Sequence, residues 1–384
     1  CGYFRFIRRS RFIHARAFLS SMVETIRSWV VVLGFFNKIH LFRAIFFRGG
    51  VWLHKYGQLQ LTSRHAPPML AASLMSAIQQ SMASPEFKTA FEPRYGESVE
   101  MAPGLSRVTC NNPSPFTFHG TNSYVLGHDT VAVIDPGPAN NQHLDTLVAA
   151  IGGRTVSHII VTHTHVDHSP LARPLAELTG AEIYAEGPHR SARPLNLGEV
   201  NALDASGDSD FHPDHLLQHG DEVSGDGWTL TGLHTPGHTA NHMSFAWKDT
   251  EFLFPGDHVM AWATSIVAPP DGAMTDYMSS LETLLLTPQQ IYFPGHGGRL
   301  ENAHAFVRAL RAHRKMREQA VLSQVREGRH LIPEIVAVIY RRTDKKLHAA
   351  AGLSVLAHLE DLVSRGLVHT DGHVSLTGRY WVEE

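Results

Sequence analysis

His163-Thr164-His165-Val166-Asp167-His168 is the stretch that decides the fold of this chain. It places four side chains able to hold a metal within six residues, directly after an apolar run at 158–161 that reads as a strand. A loop at the C-terminal end of a strand can turn several side chains toward one point. Imidazole suits zinc and other borderline ions, and carboxylate suits hard or borderline divalent ions. Three histidines and one aspartate in this order are rare even in a chain with 27 histidines. A chance surface cluster is therefore the weaker reading.

Three islands further along share one form. Thr235-Pro236-Gly237-His238 follows a strand-like run at 229–233, Phe254-Pro255-Gly256-Asp257 follows one at 251–254, and Phe293-Pro294-Gly295-His296 follows one at 291–293. Each sets a candidate ligand just after a strand and a glycine, which lets the backbone turn tightly and approach an ion. One Pro-Gly-His is as readily an ordinary turn. Three behind the same histidine cluster reinforce one another.

Around these motifs the pattern is that of a layered α/β domain. Strands are expected at 123–126 and 131–134 about a Gly127-His128-Asp129 turn, and at 158–161, 182–185, 229–233, 243–247, 251–254 and 291–293. Helices fit 140–150, a segment starting near Ser169-Pro170, and 275–286. Residues 195–220 read as a long polar loop. A long helix fits 303–326, and 333–340, 346–350 and 353–365 read as three short helices before a hairpin at 367–376, the order of a small winged-helix domain.

The chain has 384 residues, enough for two or three domains, and 43% hydrophobic with 18% charged residues is ordinary for a globular protein. Two cysteines, Cys1 and Cys110, exclude both a disulfide framework and a zinc–thiolate site, so a metal must be held by histidine and carboxylate. The net charge of −3 hides an asymmetry: residues 1–68 hold eleven bases and the single acid Glu24, against 22 bases and 35 acids in the rest. Residues 1–81 are basic, apolar and poorly patterned, with no clean span of ~20 apolar residues. They are expected to be disordered or non-native sequence ahead of Met82, with an Arg-rich presequence or membrane-surface segment as the alternative. The remainder is expected in the cytoplasm. The domain reading is 1–81, a catalytic domain at 92–302, and a connecting helix with winged helix at 303–384.

With these motifs in place the sequence resembles the metallo-β-lactamase superfamily over about residues 92–380. The resemblance implies a four-layer αββα sandwich followed by the winged-helix domain. It implies that His163, His165 and His238 hold one divalent ion, that Asp167, His168 and His296 hold a second, and that Asp257 bridges them. Asp135, in Val133-Ile134-Asp135-Pro136-Gly137, matches the family's first motif and would support a ligating histidine from behind. Zinc is the expected metal, with manganese or iron as alternatives. The segment 115–124, Pro-Phe-Thr-Phe-His-Gly-Thr-Asn-Ser-Tyr, and His313-Arg314-Lys315-Met316-Arg317-Glu318 are similar to the β-lactamase-like-protein-2 group.

Two adjacent cations lower the pKa of a shared water, so the chain is read as a dinuclear hydrolase with a metal-bridging hydroxide. Asp167 is a candidate to orient that nucleophile, and His258 and His242, beside ligands in sequence, are candidates to protonate the leaving group. One reading, from the resemblance and seven bases at 304–330, is a phosphodiesterase acting on single-stranded RNA, like an endoribonuclease. The other is an acyl hydrolase for thioesters, lactones, esters or β-lactams. The 39 residues from Asp257 to His296 are too few for the inserted domain of the mRNA 3′-end-processing nucleases. Residues 331–384, with six bases and seven acids, do not make a basic DNA-binding wing, so no specific DNA binding is expected; a lid or homodimer role suits them better. A scaffold with a dead site is the third reading, and the full ligand set stands against it.

Overall fold

The structure, a computed structural model, describes residues 31–37, 40–47, 50–55 and 58–61 as strands, and residues 85–383 apart from 197, 198, 200 and 202–205. The chain divides into two units, Cys1–Gln80 and Ser81–Glu384. In the first, β1 (Val31–Asn37), β2 (His40–Phe47), β3 (Gly50–Lys55) and β4 (Gln58–Leu61) pair antiparallel in chain order. The rest of the expectation for residues 1–81 lies outside the described residues.

The second unit contains two larger sheets. The first holds β5 (Ser98–Ala102), β6 (Leu105–Thr109), β7 (Asn122–Gly127), β8 (Thr130–Ile134), β9 (Thr155–Ile160), β10 (Glu182–Ala185) and β11 (His215–Leu216), adjacent in chain order. From β8 to β11 the pairs are parallel. Helix α1 (Asn141–Ile151) connects β8 to β9 and α2 (Ala172–Thr179) connects β9 to β10. The second sheet holds β12 (Glu222–Gly225), β13 (Trp228–His234), β14 (Met243–Trp247), β15 (Phe252–Phe254) and β16 (Ile291–Tyr292). Helix α3 (Met274–Leu285) links its last, parallel pair, and α4 (Ala303–Arg326) follows.

Alternation along the strands makes the layers. On β8, Val131 and Val133 pack with Leu147 of α1 and Leu175 of α2, while Ala132 and Ile134 face the other way. On β15, Phe254 joins that inner cluster with Phe245 and Trp228, and Leu253 joins Tyr277, Leu281 and Val307 on the outer side. The order is therefore helix, sheet, sheet, helix, as expected. Three apolar interfaces hold it, each at about 25 cal/mol per Å2 of apolar surface buried.

A fourth cluster builds the C-terminal domain. Val321, Leu322 and Val325 at the end of α4 pack on α5 (Ile332–Ile339) and α6 (His348–Ser364), closed by Tyr380. Strands β17 (His369–Thr370) and β18 (Tyr380–Trp381) form the wing. The sequence suggested two helices at 346–350 and 353–365; α6 is continuous, because Gly352 sits mid-helix against Ile332 of α5, where the small residue allows close approach. The hairpin is wider than expected, since Tyr380 is the buried anchor and its hydroxyl donates to the Ser375 carbonyl at 2.6 Å. The polar loop 195–220 contributes the short edge strand β11, and β5 and β6 add a hairpin the pattern did not suggest.

Candidate metal centre

Every candidate ligand leaves its strand at the same end of the sandwich. The loop after β9 carries His163, His165, Asp167 and His168. His238 follows β13, Asp257 follows β15 and His296 follows β16. His163 Nε2 lies 3.1 Å from His165 Nδ1, and His168 Nε2 lies 3.3 Å from His296 Nε2. Asp257 stands between the groups: Oδ1 is 3.6 Å from His168 Nε2, and Oδ2 is 3.2 Å from His296 Nε2 and 3.7 Å from His238 Nε2. Asp167 Oδ2 is 3.1 Å from His296 Nε2. Ligand atoms set ~2.1 Å from a tetrahedral ion stand roughly 3.4 Å apart. The spacing here is that of a shared cation. His163, His165 and His238 form one such group, Asp167, His168 and His296 another, and His163 is also grouped with His168 and Asp257.

The far side of four of the five imidazoles is fixed, while His165 turns Nδ1 toward His163 and leaves Nε2 buried with no partner. His238 Nδ1 donates to the Ile266 carbonyl at 2.7 Å and His296 Nδ1 to the Gly120 carbonyl at 3.2 Å. His168 Nδ1 donates to Asp135 Oδ2 at 3.0 Å. The Thr162 hydroxyl donates to the same carboxylate at 2.7 Å, so it accepts from His163 Nδ1 at 3.0 Å. With Nδ1 engaged in this way, four rings turn Nε2 into the site. Asp135 has φ 48°, a left-handed conformation for a residue other than glycine, and this aims its carboxylate across the end of β9.

Electrostatics divides the seven side chains. Burial, followed by repulsion from His168, His165 and His238, pushes His163 well below the ordinary imidazole range. Burial, then His238, pushes His165 to about 3, and burial lowers His238. These three are neutral and ready to ligate. Burial also opposes charge on His168, but Asp167, Asp257 and Asp135 hold it well above its usual value. His296 is raised against burial to about 9 by Asp257 and Asp167. Burial likewise opposes charge on Asp167 and Asp257, yet His168 and His296 keep both carboxyls low. The carboxylates thus pull His168 and His296 toward positive charge, while the other three imidazoles are pushed away from it. His238 Nε2 and Asp257 Oδ1 remain buried with no hydrogen-bond partner. An orphaned lone pair and an orphaned carboxylate oxygen within one cluster of candidate ligands fit divalent cations.

Several supporting residues carry no motif of their own. Asn122 donates its side-chain N–H groups to the Pro294 and Gly297 carbonyls, and Tyr124 donates its hydroxyl to Pro294, so β7 clamps the loop bearing His296. The Thr121 hydroxyl donates to Asp167 Oδ2 at 3.4 Å. His242 accepts the Asp257 backbone N–H on Nε2 at 3.2 Å, with Nδ1 against the Thr235 hydroxyl at 2.9 Å. It positions a candidate ligand and gives nothing to a substrate. A Cβ on Gly295 would lie 2.5 Å from Asp257 Oδ1 and 2.6 Å from His168 Cε1, so only glycine fits there. The signal for Asn122 and Tyr124 was the 115–124 segment, whose purpose is visible only once β7 meets the 293–297 loop.

A cavity of about 450 Å3 opens over Asp167, Asp257, His238 and His296. Phe116, Met260, Trp262, Ile266 and Leu347 make its apolar wall, and Trp262 stacks on Phe118 at 4.7 Å. Among the described residues no lysine or arginine lines it.

His258 does not line this cavity, which corrects the expectation that it protonates a leaving group. Its ring is fully buried 4.4 Å from the Tyr277 ring, both nitrogens lack partners, and burial, followed by His238, pushes it to about 3. The basic helix is also largely engaged within the fold. Arg314 is buried, donates to the Ser265 carbonyl and lies over the Tyr277 ring; Arg311 pairs with Glu282, Lys315 with Glu318, Arg329 with Glu327, and Arg317 lies over Tyr340. No helix among the described residues is long and apolar enough to cross a membrane.

Comparison with known proteins fits this geometry. The family model of the metallo-beta-lactamase superfamily matches residues 116–296, and that of the beta-lactamase-associated winged helix domain matches 332–380. The Beta-lactamase-like protein 2 homolog of Drosophila melanogaster is 30% identical over 290 residues, spanning 70% of this chain and 93% of the relative. An atrochrysone carboxyl ACP thioesterase of Paecilomyces divaricatus is 26% identical over 306 residues, spanning 76% and 88%. The crystal structure of a beta-lactamase domain protein from Burkholderia ambifaria superposes with a TM-score of 0.62 at 21% identity, covering 78% of this chain and 97% of that one.

Proposed function

The chain belongs to the metallo-beta-lactamase superfamily of metal-dependent hydrolases, and from that premise we propose that it is an acyl hydrolase cleaving thioesters of apolar acids at a two-metal centre. The observation that carries this reading is the cavity: apolar walls above the ligand cluster, with no cation among the described lining residues. A phosphodiester brought there would lose its hydration and find no basic side chain to replace it. An acyl chain gains from the same walls about 0.8 kcal/mol per buried methylene. Of the six bases of α4, which favoured RNA, four are engaged within the fold: Arg311 and Lys315 in ion pairs, Arg314 and Arg317 over aromatic rings. The Paecilomyces relative, named a thioesterase, points the same way.

Divalent ions, of which zinc best suits this donor set, would supply Lewis acidity and a deprotonated water when bound. The residues of the chain do the rest. His163, His165 and His238 offer neutral nitrogens on one side; His168, His296, Asp167 and Asp257 offer nitrogens and negative charge on the other. Asp167 is partly open to the cavity, and the Thr121 hydroxyl steadies its Oδ2, leaving a carboxylate oxygen to orient the water. Hydrolysis adds water across the acyl carbon, breaks the C–S bond and yields a carboxylic acid and a thiol. No imidazole outside the ligand set lines the cavity among the described residues. This favours a thiolate, which with a pKa near 8.5 leaves without a proton donor, over an alkoxide.

The test is a substrate panel with metal-loaded protein beside Asp167→Ala: acyl thioesters of graded length, chromogenic esters, lactones, a cephalosporin and single-stranded RNA. The expected result is metal-dependent thiol release, rising roughly fourfold in kcat/KM per methylene until the cavity is full. RNA cleavage with no thiol release would overturn the proposal.

A further inference from the structure

Residues 331–384 carry six bases against seven acids, yet four of those bases fall in the turn region that joins α5 to α6, Arg341-Arg342-Thr343-Asp344-Lys345-Lys346. All four are exposed, and none makes an ion pair among the described residues. The one acid in the turn, Asp344, is committed to the backbone: its carboxylate accepts the Lys346 N–H at 3.0 Å and caps a 3-10 turn, Lys345–Leu347. On α4, in contrast, four of six bases are engaged within the fold, two in ion pairs and two over aromatic rings. The residue that ends the turn, Leu347, lines the apolar cavity. With consecutive Cα atoms ~3.8 Å apart, Lys345 and Lys346 lie within about 8 Å of a cavity wall.

Concentrated, unpaired positive charge thus sits at the rim of a cavity whose described lining has none. We propose that this turn is the docking point for the phosphates of an acyl-coenzyme A thioester whose acyl chain occupies the cavity. This rests on the thioesterase reading above and goes further, since it names the carrier of the acyl group. The division of labour follows from the charges. Inside, a phosphate would meet carboxylates, candidate ligands, the hydroxyls of Ser114, Thr117, Ser206 and Thr264 and apolar walls, but no cation; at the rim it meets Lys345 and Lys346, with Arg341 and Arg342 on the same connection. A compact polyanion matches four cations on one turn. A protein partner needs ~800 Å2 of contact on each side, far more than one turn presents. Exposed charges of this kind act mainly by raising capture, so their effect belongs in KM and weakens with salt.

The experiment compares one acyl group on three carriers: coenzyme A, N-acetylcysteamine, which has no phosphate, and an acidic acyl carrier protein. It is run on the full chain and on two double variants, Arg341→Glu/Arg342→Glu and Lys345→Glu/Lys346→Glu. The readout is a ratio of kcat/KM values, to which a general disturbance of the fold contributes equally above and below. The full chain should prefer coenzyme A over N-acetylcysteamine by roughly tenfold or more, through KM, with the preference fading as salt rises. Each double variant should bring that ratio toward one. Adenosine 3′,5′-bisphosphate should inhibit the unaltered chain competitively and the variants weakly. Equal rates on both small thioesters, or a coenzyme A preference that survives charge reversal, would overturn the role of the turn. Preference for the carrier protein over coenzyme A would overturn the occupant. Failure to cleave any of the three would sink the thioesterase reading itself, and this proposal with it.

Discussion

Asp135→Asn isolates one link in the site. Asparagine tolerates the left-handed backbone at φ 48°, so the turn after β8 is kept. The carboxylate accepts three hydrogen bonds: the Thr162 N–H on Oδ1 at 2.7 Å, and the Thr162 hydroxyl at 2.7 Å and His168 Nδ1 at 3.0 Å on Oδ2. An amide oxygen can replace Oδ1, but its NH2 then faces the two remaining donors. His168 must give up the Nδ1 proton or rotate, and either change spoils the Nε2 lone pair aimed at His296. Losing such support costs a metal site about 10- to 100-fold in affinity, or roughly 1.4–2.8 kcal/mol. The measurement is a zinc titration against a chromophoric chelator, with far-UV circular dichroism to show an intact fold. The group containing His168 should weaken by that factor. The group containing His163, linked to Asp135 only through Thr162, should weaken less. Affinities equal to those of the unaltered chain would refute the claim that Asp135 sets the histidine tautomer.

Other perturbations probe the same geometry. Gly295→Ala drives a methyl between Asp257 and His168 and should abolish tight metal uptake while the far-UV spectrum is retained; normal stoichiometry by elemental analysis would contradict it. In the metal-free protein His296 titrates at about 9, above the ordinary 6.5, so its charged form contributes stability fully below 6.5 and loses it as pH rises through 9. Thermal melts of chelator-treated protein should fall between those pH values, and metal-loaded protein should not share the fall, since the ion replaces the proton. His242→Phe leaves the Asp257 N–H and the Thr235 hydroxyl without their present partner, and urea unfolding should show a loss of about 2–4 kcal/mol.

The parts of the site that sequence revealed are those written locally. Four side chains in six residues need only one loop to converge, and each Pro-Gly-His or Pro-Gly-Asp marks its own strand end. Asp135 was legible for the same reason, as the residue that stops β8. What sequence did not reveal depends on distant partners. His258 neighbours Asp257 in sequence, but the loop turns its ring toward Tyr277, nineteen positions away, and into the core. The α4 arginines look like a nucleic-acid surface until Glu282, Ser265 and Tyr340 are folded against them. The cavity wall draws Phe116, Trp262 and Leu347 from three remote segments, and no period or motif joins them. The split of α6 into two helices was a weak local preference that packing against α5 overrides.

The candidate ligands come from both sheets: four from the loop after β9, and His238, Asp257 and His296 from the other half of the sandwich. Ions seated among them would rivet two slabs along a single rim, adding to the oil-like contact between the layers. Stripping the ions should then act as unlatching rather than melting. The slabs would first gape along the riveted rim, where proteases would cut, while the helical flanks kept their shape.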